Sequence, residues 1–291
     1  MVKTLTQLYL DTRRALMEND DLHMAGMIAR HLLCHVTGKT MEQFYADGQM
    51  YVCDDVCNAA QALVNRVLDG EPLAYILGRW EFYGLDLIVN RNVLIPRDDT
   101  CAVADLAINQ AKQLGSNIRV LDLCTGSGCI GLAIASKVPG ARVTLADISA
   151  EALAVAKENI ALNGLSGRVV CISADALAEP SSFLGKFDLI VSNPPYITSQ
   201  EMTELPKSVA DFEPHLALYG GEDGLDFYRS IAKNYAVALK PGGYLCFEFG
   251  MGQGDDVCAI LEENQYTILE RSRDYNDRER AVIAQLGRKE D

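Results

Sequence analysis

The sequence RVLDLCTGSGCIG at residues 119–131 decides the fold that this chain predicts. The apolar run Arg119 to Leu123 is typical of a buried strand, and Leu132 to Val138 carries apolar residues at helical spacing. Between them, glycines at 126 and 128 allow a tight turn that brings the backbone close to a ligand. The helix that follows would offer its free N–H groups to a carboxylate or a phosphate. The segment therefore predicts a strand, a glycine turn and a helix that form a nucleotide site.

A second predicted strand, Ala141 to Ala146, ends next to an acidic residue. Asp147 lies 21 residues beyond Gly126, where its carboxylate can accept hydrogen bonds from ribose hydroxyls. The pattern Gly126-x-Gly128-x-x-Gly131 fits a dinucleotide loop as well as it fits an S-adenosylmethionine loop. On this stretch alone, both cofactors stay open.

The tetrapeptide Asn193-Pro194-Pro195-Tyr196 directly follows another strand-like run, Phe187 to Val191 with Ser192. Two successive prolines fix φ and remove two backbone donors, so the carbonyls there stay free to accept hydrogen bonds. The Asn193 side-chain oxygen is a further acceptor, and the Tyr196 ring can stack on a flat group. The tetrapeptide thus predicts a site for a planar NH2 group, while a plain strand-terminating turn is the alternative.

This NH2 site favours a methyl donor over a dinucleotide. A hydride-transfer enzyme has no use for a clamp, here the NPPY tetrapeptide, that orients an NH2 group at the end of the fourth predicted strand of the sheet. A methyl donor lying over the first and second strands would instead place its sulfonium near the end of that strand. Two other classes remain as alternatives, an NAD-dependent oxidoreductase and a non-catalytic protein of the same fold that binds the ribosome or tRNA.

Further segments make the resemblance to a known family specific. They are EPLAYILG at 71–78, WEFYGL at 80–85, VLIPR at 93–97, EPHLAL at 213–218 and GGEDGLDFY at 220–228. Together with the glycine loop and the NPPY tetrapeptide, they resemble the class I S-adenosylmethionine-dependent methyltransferases. Within that class they resemble the release-factor glutamine methyltransferases, the PrmC/HemK family.

The resemblance implies an α/β fold with a mostly parallel, seven-stranded sheet of the class I methyltransferase (Rossmann-like) type. The alternation of predicted strands and helices agrees with such a doubly wound sheet. Class I methyltransferases also have a terminal antiparallel pair, which we expect at Tyr266 to Arg271 and Ala281 to Leu286. A helix that Thr100 can cap is expected to run to Leu114 before the first strand of the sheet.

The chain is expected to have three parts. Residues 1–72 form an N-terminal helical domain, because apolar residues from Leu5 to Leu68 recur at helical spacing in about four segments, with Asp54 or Asp55 as a cap. The family resemblance implies that this domain recognises the substrate, and a packing appendage that stabilises the sheet is the alternative. Residues 73–93 form a β-hairpin linker around Gly84. Residues 94–291 form the S-adenosylmethionine-dependent methyltransferase domain.

The resemblance also implies the reaction. The methyl group of S-adenosylmethionine would pass to the side-chain amide of the glutamine in the Gly-Gly-Gln loop of class I peptide chain release factors, leaving S-adenosylhomocysteine. The residues by themselves predict only a planar NH2 acceptor, and adenine and cytosine also meet that description. Methylation of N6 of adenine, or of another exocyclic amino group in nucleic acid, is therefore the alternative.

The predicted site residues follow from these motifs. The methionine carboxylate is expected at the glycine loop, the ribose at Asp147 and the adenine near Asp175 and Ala176. The cofactor-binding residues are Cys124, Thr125, Gly126, Ser127, Gly128, Asp147, Asp175, Ala176 and Asn193. The catalytic residues are Asn193, Pro194 and Tyr196, and the substrate-binding residues are Asn193, Pro194, Pro195 and Tyr196.

The chain departs from the family pattern at three places. Cys124 stands where the family usually has glycine, and Ala176 follows Asp175 where an aromatic residue is often found. We expect these two departures to alter the affinity for the cofactor. The segment Asp98-Asp99-Thr100-Cys101 replaces a Pro-Glu-Thr-Glu type of segment, so no acidic residue stands at 101.

Composition agrees with a cytoplasmic enzyme. The 291 residues are 49% hydrophobic and 23% charged, which is enough to bury a large core in two domains. No run of about 18 apolar residues predicts a membrane span, and Met1 to Leu10 lacks the pattern of a signal peptide. The nine cysteines form no disulfide or zinc framework, and His31 and His35 share a helix face without a third ligand, so no metal is expected.

The formal net charge of −14 bears on the partner. A protein that grips duplex nucleic acid normally needs a basic face that displaces counterions. The densest basic stretch, Arg271 to Arg280, is interleaved with Asp274, Asp277 and Glu279, which is typical of a solvated charged face. No direct binding of nucleic acid is therefore expected, and an acidic surface suits a basic protein partner, although acidic totals also serve solubility.

Overall fold

The computed structural model describes residues 3–18 and 20–287. Contacts between residues divide the chain into two compact units, Met1–Gly78 and Arg79–Asp291. Each unit has apolar clusters of its own. Within the described residues, no helix is both long and apolar enough to cross a membrane.

The first unit is helical. Its elements are the helices α1 (Leu5–Leu16), α2 (Leu22–Thr37), α3 (Met41–Ala46), α4 (Asp54–Leu68) and α5 (Leu73–Leu77), with the short antiparallel strands β1 (Lys3–Thr4) and β2 (Tyr51–Val52). Helices α1 to α4 confirm the four helical segments predicted between Leu5 and Leu68. The expected aspartate cap of α4 is wrong, because Cys53 is the capping position and makes no side-chain cap bond. Asp54 and Asp55 lie inside the first turn, where negative charge favours the helix N-terminus.

The hairpin is shorter than the predicted segment 73–93. Strands β3 (Arg79–Phe82) and β4 (Leu85–Ile88) pair antiparallel around Tyr83 and Gly84, which have φ of 56° and 80°. Positive φ at both central residues matches the twist of a two-residue hairpin. Residues 73–77 are helical instead, because Pro72 suits a helix start and Gly78, with φ of 68°, ends α5 in the left-handed conformation.

The second unit contains a seven-stranded sheet. Its strands are β5 (Arg119–Leu123), β6 (Arg142–Asp147), β7 (Val169–Ser173), β8 (Phe187–Ser192), β9 (Leu239–Glu248), β10 (Tyr266–Arg273) and β11 (Glu279–Leu286). Their order across the sheet is β10-β11-β9-β8-β5-β6-β7. Strand β11 pairs antiparallel with β9 on one side and with β10 on the other, and the remaining pairs within the described residues of this sheet are parallel. The predicted class I methyltransferase sheet and its terminal antiparallel pair are confirmed.

Helices cover both faces of this sheet. They are α6 (Cys101–Leu114), α7 (Cys129–Lys137), α8 (Ala150–Leu162), α11 (Asp226–Asn234) and α12 (Gly254–Glu263), while the short helices α9 (Ser199–Met202) and α10 (Lys207–Ala210) belong to the connection between β8 and α11. Helices α6, α7 and α8 share one apolar cluster with the sheet, and α11 and α12 share the other. The central strands are buried on both faces, as parallel strands between two helical layers require.

The strand order sets the position of the site. From β5 the chain moves outward through β6 to β7, and it then returns to β8 on the other side of β5. The connections after β5 and β8 therefore diverge to opposite sides. In open parallel sheets, such a reversal leaves a crevice at the carboxyl ends of the strands, where ligands bind.

Candidate active site

A cleft opens at the carboxyl ends of β5, β6, β7 and β8. It contains about 1110 Å³ of empty space, open solvent at its mouth included. Among its lining residues are Cys124, Thr125, Gly126, Ser127, Asp147, Ile148, Asp175, Ala176, Leu177, Asn193, Pro195, Pro214 and Leu216.

The glycine loop between β5 and α7 is tied to the neighbouring strand β6. The Gly126 N–H donates to Asp147 Oδ2 at 2.9 Å, and the Thr125 N–H donates to the Ala146 carbonyl at 3.0 Å. Gly126 and Gly128 have φ of 53° and 85°, in the left-handed region. Glycine adopts this conformation without strain, so the loop can turn tightly into α7.

Asp122 supports this loop from within β5. Its Oδ2 accepts hydrogen bonds from Thr125 Oγ1 at 2.6 Å and from the Gly131 N–H at 2.9 Å. Burial raises the pKa of Asp122 to about 7. A Cβ at Gly131 would lie 2.2 Å from Leu145 Cδ2 and 2.9 Å from Asp122 Oδ2, so only glycine lets α7 approach the sheet this closely.

Asp147 serves the loop as well as the cleft. Besides the bond to Gly126, its Oδ1 accepts from the Ser149 N–H at 3.0 Å. Burial raises the pKa of Asp147, and these backbone hydrogen bonds oppose the rise. Each carboxylate oxygen can accept more than one hydrogen bond, so the carboxylate can hold the loop and still accept from a ligand.

Asp175 and Ala176 lie together in the wall of the cleft that follows β7. Asp175 Oδ1 accepts from the Leu177 N–H at 2.8 Å, which makes a turn at the end of β7. Ala176 is buried, and its carbonyl accepts from Ser230 Oγ at 2.8 Å. The Tyr235 hydroxyl donates to the Asp175 carbonyl at 3.0 Å, so helix α11 and the segment after it hold this wall in place.

Asn193 lies next to the start of the glycine loop, because the preceding residue, Ser192, pairs with Leu123 at the end of β5. It directly follows β8, and its Nδ2 donates to Thr100 Oγ1 at 3.4 Å. Thr100 precedes α6 as predicted, but its side chain makes no capping hydrogen bond. Ser192 of β8 pairs with Phe247 of the parallel strand β9. Asn193 and Glu248, the next residue on each strand, are therefore neighbours.

The rest of the NPPY tetrapeptide is packed against the loop at 218–224. Ile197, the residue after the tetrapeptide, makes two backbone hydrogen bonds to this loop. Its N–H donates to the Leu218 carbonyl, and its carbonyl accepts from the Gly220 N–H, both at 2.9 Å. A Cβ at Gly220 would lie 2.6 Å from Pro195 O, and one at Gly224 would lie 2.3 Å from Tyr196 O. The two glycines therefore let the loop lie directly on the tetrapeptide backbone.

The cleft brings most of the predicted site residues together. Those that line it are Cys124, Thr125, Gly126, Ser127, Asp147, Asp175, Ala176, Asn193 and Pro195. Three others are not among its lining residues: Gly128 turns the chain into α7, Pro194 is buried, and Tyr196 is half-buried against an apolar cluster of the second unit. The roles of all of these residues in binding and catalysis stay predictions.

Comparison with known proteins identifies the family. Residues 4–78 match the PrmC N-terminal domain, and residues 104–210 match the Methyltransferase small domain. A release factor glutamine methyltransferase from Geobacter sulfurreducens is 36% identical over 280 residues, covering 96% of this chain and 95% of the relative. This chain belongs to the release factor glutamine methyltransferase family. It is therefore an enzyme, a methyltransferase.

Other members of the release factor glutamine methyltransferase family are similar over much of their length. The enzyme of that name from Clostridium acetobutylicum is 42% identical over 216 residues, which are 74% of this chain and 75% of the relative. Among solved structures, the protein-(glutamine-N5) methyltransferase (release factor-specific) from Alicyclobacillus acidocaldarius is 28% identical. That comparison covers 68% of this chain and 98% of the other, with a TM-score of 0.41.

Cys124 is the departure from the release factor glutamine methyltransferase pattern that the structure explains best. Its φ is 60°, in the left-handed region that favours glycine, the residue that the family resemblance led us to expect here. A side chain in this conformation costs roughly 1–2 kcal/mol. The residue lines the cleft, and burial raises the pKa of its thiol, so the thiol stays protonated at neutral pH.

Several residues of the site were not predicted. Gln253 Nε2 donates to the Tyr196 carbonyl at 3.1 Å, and its Oε1 accepts from the Gly250 N–H at 2.9 Å. Glu248 is buried beside Asn193, and its place at the end of β9 could have been found only by knowing that β9 lies next to β8. Sequence spacing gave no signal for Gln253.

One unpredicted ion pair joins two family segments near the cleft. Arg97 Nη2 pairs with Glu213 Oε1, and the Glu213 side chain is only 1% exposed. Burial raises the pKa of Glu213, and the Arg97 charge opposes the rise. The neighbouring residues Pro96 and Pro214 both line the cleft, so this pair fixes one of its walls.

Proposed function

We propose that this protein transfers the methyl group of S-adenosylmethionine to the side-chain amide nitrogen of the glutamine in the Gly-Gly-Gln loop of class I peptide chain release factors. The products are N5-methylglutamine and S-adenosylhomocysteine. One observation carries the proposal: a single cleft is lined by the glycine loop after β5 and by Asn193 after β8. Membership of the release factor glutamine methyltransferase family supports the choice of acceptor.

The lining residues fit S-adenosylmethionine. Gly126 and the nine-residue helix α7 would hold the methionine carboxylate, since a Cβ at Gly126 would meet nothing within 4 Å and the first N–H groups of a helix attract anions. Asp147 would accept from the ribose hydroxyls. Ile148 and Leu177 line the cleft and are 51% and 49% exposed, which suits the two apolar faces of an adenine. When bound, this cofactor supplies a methyl group on a positively charged sulfur.

The residues of the NPPY tetrapeptide would position the acceptor. A glutamine amide nitrogen is a poor nucleophile because its lone pair is delocalised. Asn193 Oδ1 and the Pro194 carbonyl would accept its two N–H bonds and stabilise the positive charge that develops on the nitrogen, and Tyr196 would stack on the amide. Held at roughly 3–3.5 Å from the methyl carbon, the nitrogen gains most of its reactivity from orientation. Among the described residues, neither histidine nor lysine lines the cleft, so the proton would leave to water.

The helical part at 1–72 is proposed to recognise the body of the release factor. Its match to the PrmC N-terminal domain supports this role. The net charge of −14 is also compatible with a basic partner surface. We place the reaction in the cytoplasm, where release factors act.

The location of a transferred label tests this function. The purified full chain is incubated with methyl-labelled S-adenosylmethionine and, in separate reactions, with unmodified release factor, adenine-containing duplex DNA or tRNA. Label on the Gly-Gly-Gln glutamine is the expected result. Label on nucleic acid alone would overturn the proposed acceptor, and the absence of label from all three would overturn the proposed activity.

A further inference from the structure

A buried carboxylate lies directly behind the NPPY tetrapeptide. Glu248 is the last residue of β9 and is 2% exposed. The pairing of Ser192 with Phe247 makes Asn193 and Glu248 neighbours at the ends of two parallel strands. Within residues 3–18 and 20–287, Glu248 Oε2 is buried without a hydrogen-bond partner. The reaction described above assigns this carboxylate no role.

Thr100 completes the group. It is 2% exposed, and its Oγ1 accepts from Asn193 Nδ2 at 3.4 Å. A threonine hydroxyl has one proton to donate and two lone pairs. While it accepts from Asn193, it can donate its own proton to the Glu248 carboxylate. Burial disfavours the ionised form of Glu248, and hydrogen bonding by Thr100 and Asn193 would favour it.

The chemistry of this group fixes the direction of the Asn193 amide. An ionised carboxylate only accepts hydrogen bonds, so the amide edge that faces Glu248 must be the NH2 edge. The other edge, which carries Oδ1, is then the one left for the cleft that Asn193 lines. The reversed amide would present a donor to the NH2 group of the substrate, and two donors cannot bond to each other.

We propose that Glu248 and Thr100 are positioning residues that hold the Asn193 side-chain amide with its oxygen toward the acceptor nitrogen. Glu248 does not line the cleft and acts on the reaction only through Asn193, whereas Thr100 lines the cleft and acts through the hydrogen bond that it accepts from Asn193. The inference rests on the proposed function, because it concerns the orientation of the clamp that this function uses.

The charge state of Glu248 makes the arrangement sensitive to pH. Burial raises the pKa of Glu248 to about 7, while Thr100, Asn193 and the positive charge of Arg280 oppose the rise. Arg280 also forms salt bridges with Asp99 at 3.1 Å and with Asp274 at 3.3 Å. The titratable groups that interact electrostatically with Glu248 are Arg280, Asp99, Tyr196, Tyr228, Cys101 and Cys129. A protonated Glu248 can donate as well as accept, so it no longer selects one direction of the Asn193 amide.

Variants of Thr100 and Glu248 test the inference in the full chain with S-adenosylmethionine and unmodified release factor. Thr100→Val removes the hydroxyl and is expected to lower kcat about 10-fold, whereas Thr100→Ser keeps the hydroxyl and the rate. The amide of Glu248→Gln can present either a donor or an acceptor to Asn193, so it no longer selects one direction of the Asn193 amide. We therefore expect kcat to fall about 10²-fold. The KM for release factor and the calorimetric affinity for S-adenosylmethionine should stay unchanged in all three.

The pH profile separates positioning from a merely structural role. We expect the wild-type kcat to rise as pH passes through about 7 and the Glu248→Gln profile to lose that step. Wild-type kcat and an unaltered pH profile in Glu248→Gln and Thr100→Val would overturn the inference alone. If Glu248→Gln fails to fold, equal rates for Thr100→Val and Thr100→Ser would overturn it. A wild-type protein that leaves the glutamine unlabelled would instead overturn the proposed function, and this inference with it.

Discussion

The two sides of the cleft are built in different ways. On the cofactor side, the glycine loop is held by residues close to it in sequence or on the next strand, such as Asp122 and Asp147. On the acceptor side, Asn193 and Tyr196 are held by segments that come from far along the chain, among them Thr100 and Gln253. Local backbone geometry therefore shapes the cofactor side, whereas long-range packing shapes the acceptor side.

This difference predicts that the two sides can be damaged separately. Asn193→Ala removes one preorganised acceptor and should lower kcat about 10²- to 10³-fold, by analogy with the loss of a single preorganised hydrogen bond elsewhere. The affinity for S-adenosylmethionine, measured by calorimetry, should change far less. Near-normal turnover would contradict the clamp, and an equal loss of cofactor affinity would contradict the separation of the two sides.

Gly131→Ala attacks the cofactor side. The added Cβ would lie 2.2 Å from Leu145 Cδ2 and 2.9 Å from Asp122 Oδ2, so either these buried side chains or the start of α7 must shift. Overpacking of this kind costs about 1–3 kcal/mol in the free energy of unfolding, and we expect the cofactor affinity to fall with it. Urea unfolding and calorimetry measure the two effects.

Gly167→Ala is the matched control for this change. A Cβ at Gly167 meets nothing within 4 Å, and its φ is not in the left-handed region. Stability and cofactor affinity should therefore stay near those of the wild type. A destabilisation as large as that of Gly131→Ala would show that the close approach of α7 is not the cause.

The pH dependence of stability probes the acceptor side without substrate. Burial raises the pKa of Glu248 from 4.5 to about 7. Between these values the folded protein keeps a proton that the unfolded chain has lost, so this group makes the free energy of unfolding fall as pH rises. One such proton contributes at most about 1.4 kcal/mol per pH unit.

Glu248→Gln should make this fall in stability shallower between pH 5 and 7, as measured by denaturant unfolding at a series of pH values. Some fall in stability should remain in the variant, because burial also raises the pKa of Asp122 to about 7 and this group is unchanged. The remaining slope serves as the reference for the loss caused by Glu248→Gln. Parallel stability curves for the wild type and the variant would contradict the burial of a titrating carboxylate beside Asn193.

The smallest expected effect concerns the loop backbone. Cys124 has φ of 60°, so Cys124→Gly should be more stable than Cys124→Ala by up to about 1 kcal/mol, because relief of the left-handed strain of roughly 1–2 kcal/mol is partly offset by the greater entropy that glycine loses on folding. Comparison with alanine removes the contribution of the thiol. Equal stabilities of the two variants by denaturant unfolding would mean that the loop stores no strain at this position.

The sequence predicted the locally built cofactor side of the cleft better than the supports of the acceptor side. The turn at Gly126 and Gly128 depends on local conformation, so spacing alone placed it between a strand and a helix. The NPPY tetrapeptide was also visible in the sequence, because two prolines directly follow an apolar strand-like run, although a plain strand-terminating turn has the same pattern. Residues 73–77 were missed as a helix, since five apolar and aromatic residues suit a strand and a short helix equally well.

The supports of the acceptor side could not be predicted because they depend on strand order. Glu248 reaches Asn193 only because β9 lies next to β8, and a single sequence does not show which strands are neighbours. Thr100 looked like an ordinary helix cap, yet its hydroxyl serves Asn193 instead of the α6 backbone. Tertiary packing overrode the local preference in this case.

The most direct test of the account is the mass of the Gly-Gly-Gln peptide after incubation of the full chain with S-adenosylmethionine and a release factor isolated without this modification. Fragmentation should place one added methyl group on the glutamine. A release factor in which asparagine replaces that glutamine is the control, and it should gain no methyl group there. An unmodified glutamine, or a methyl group elsewhere in the release factor, would contradict the account.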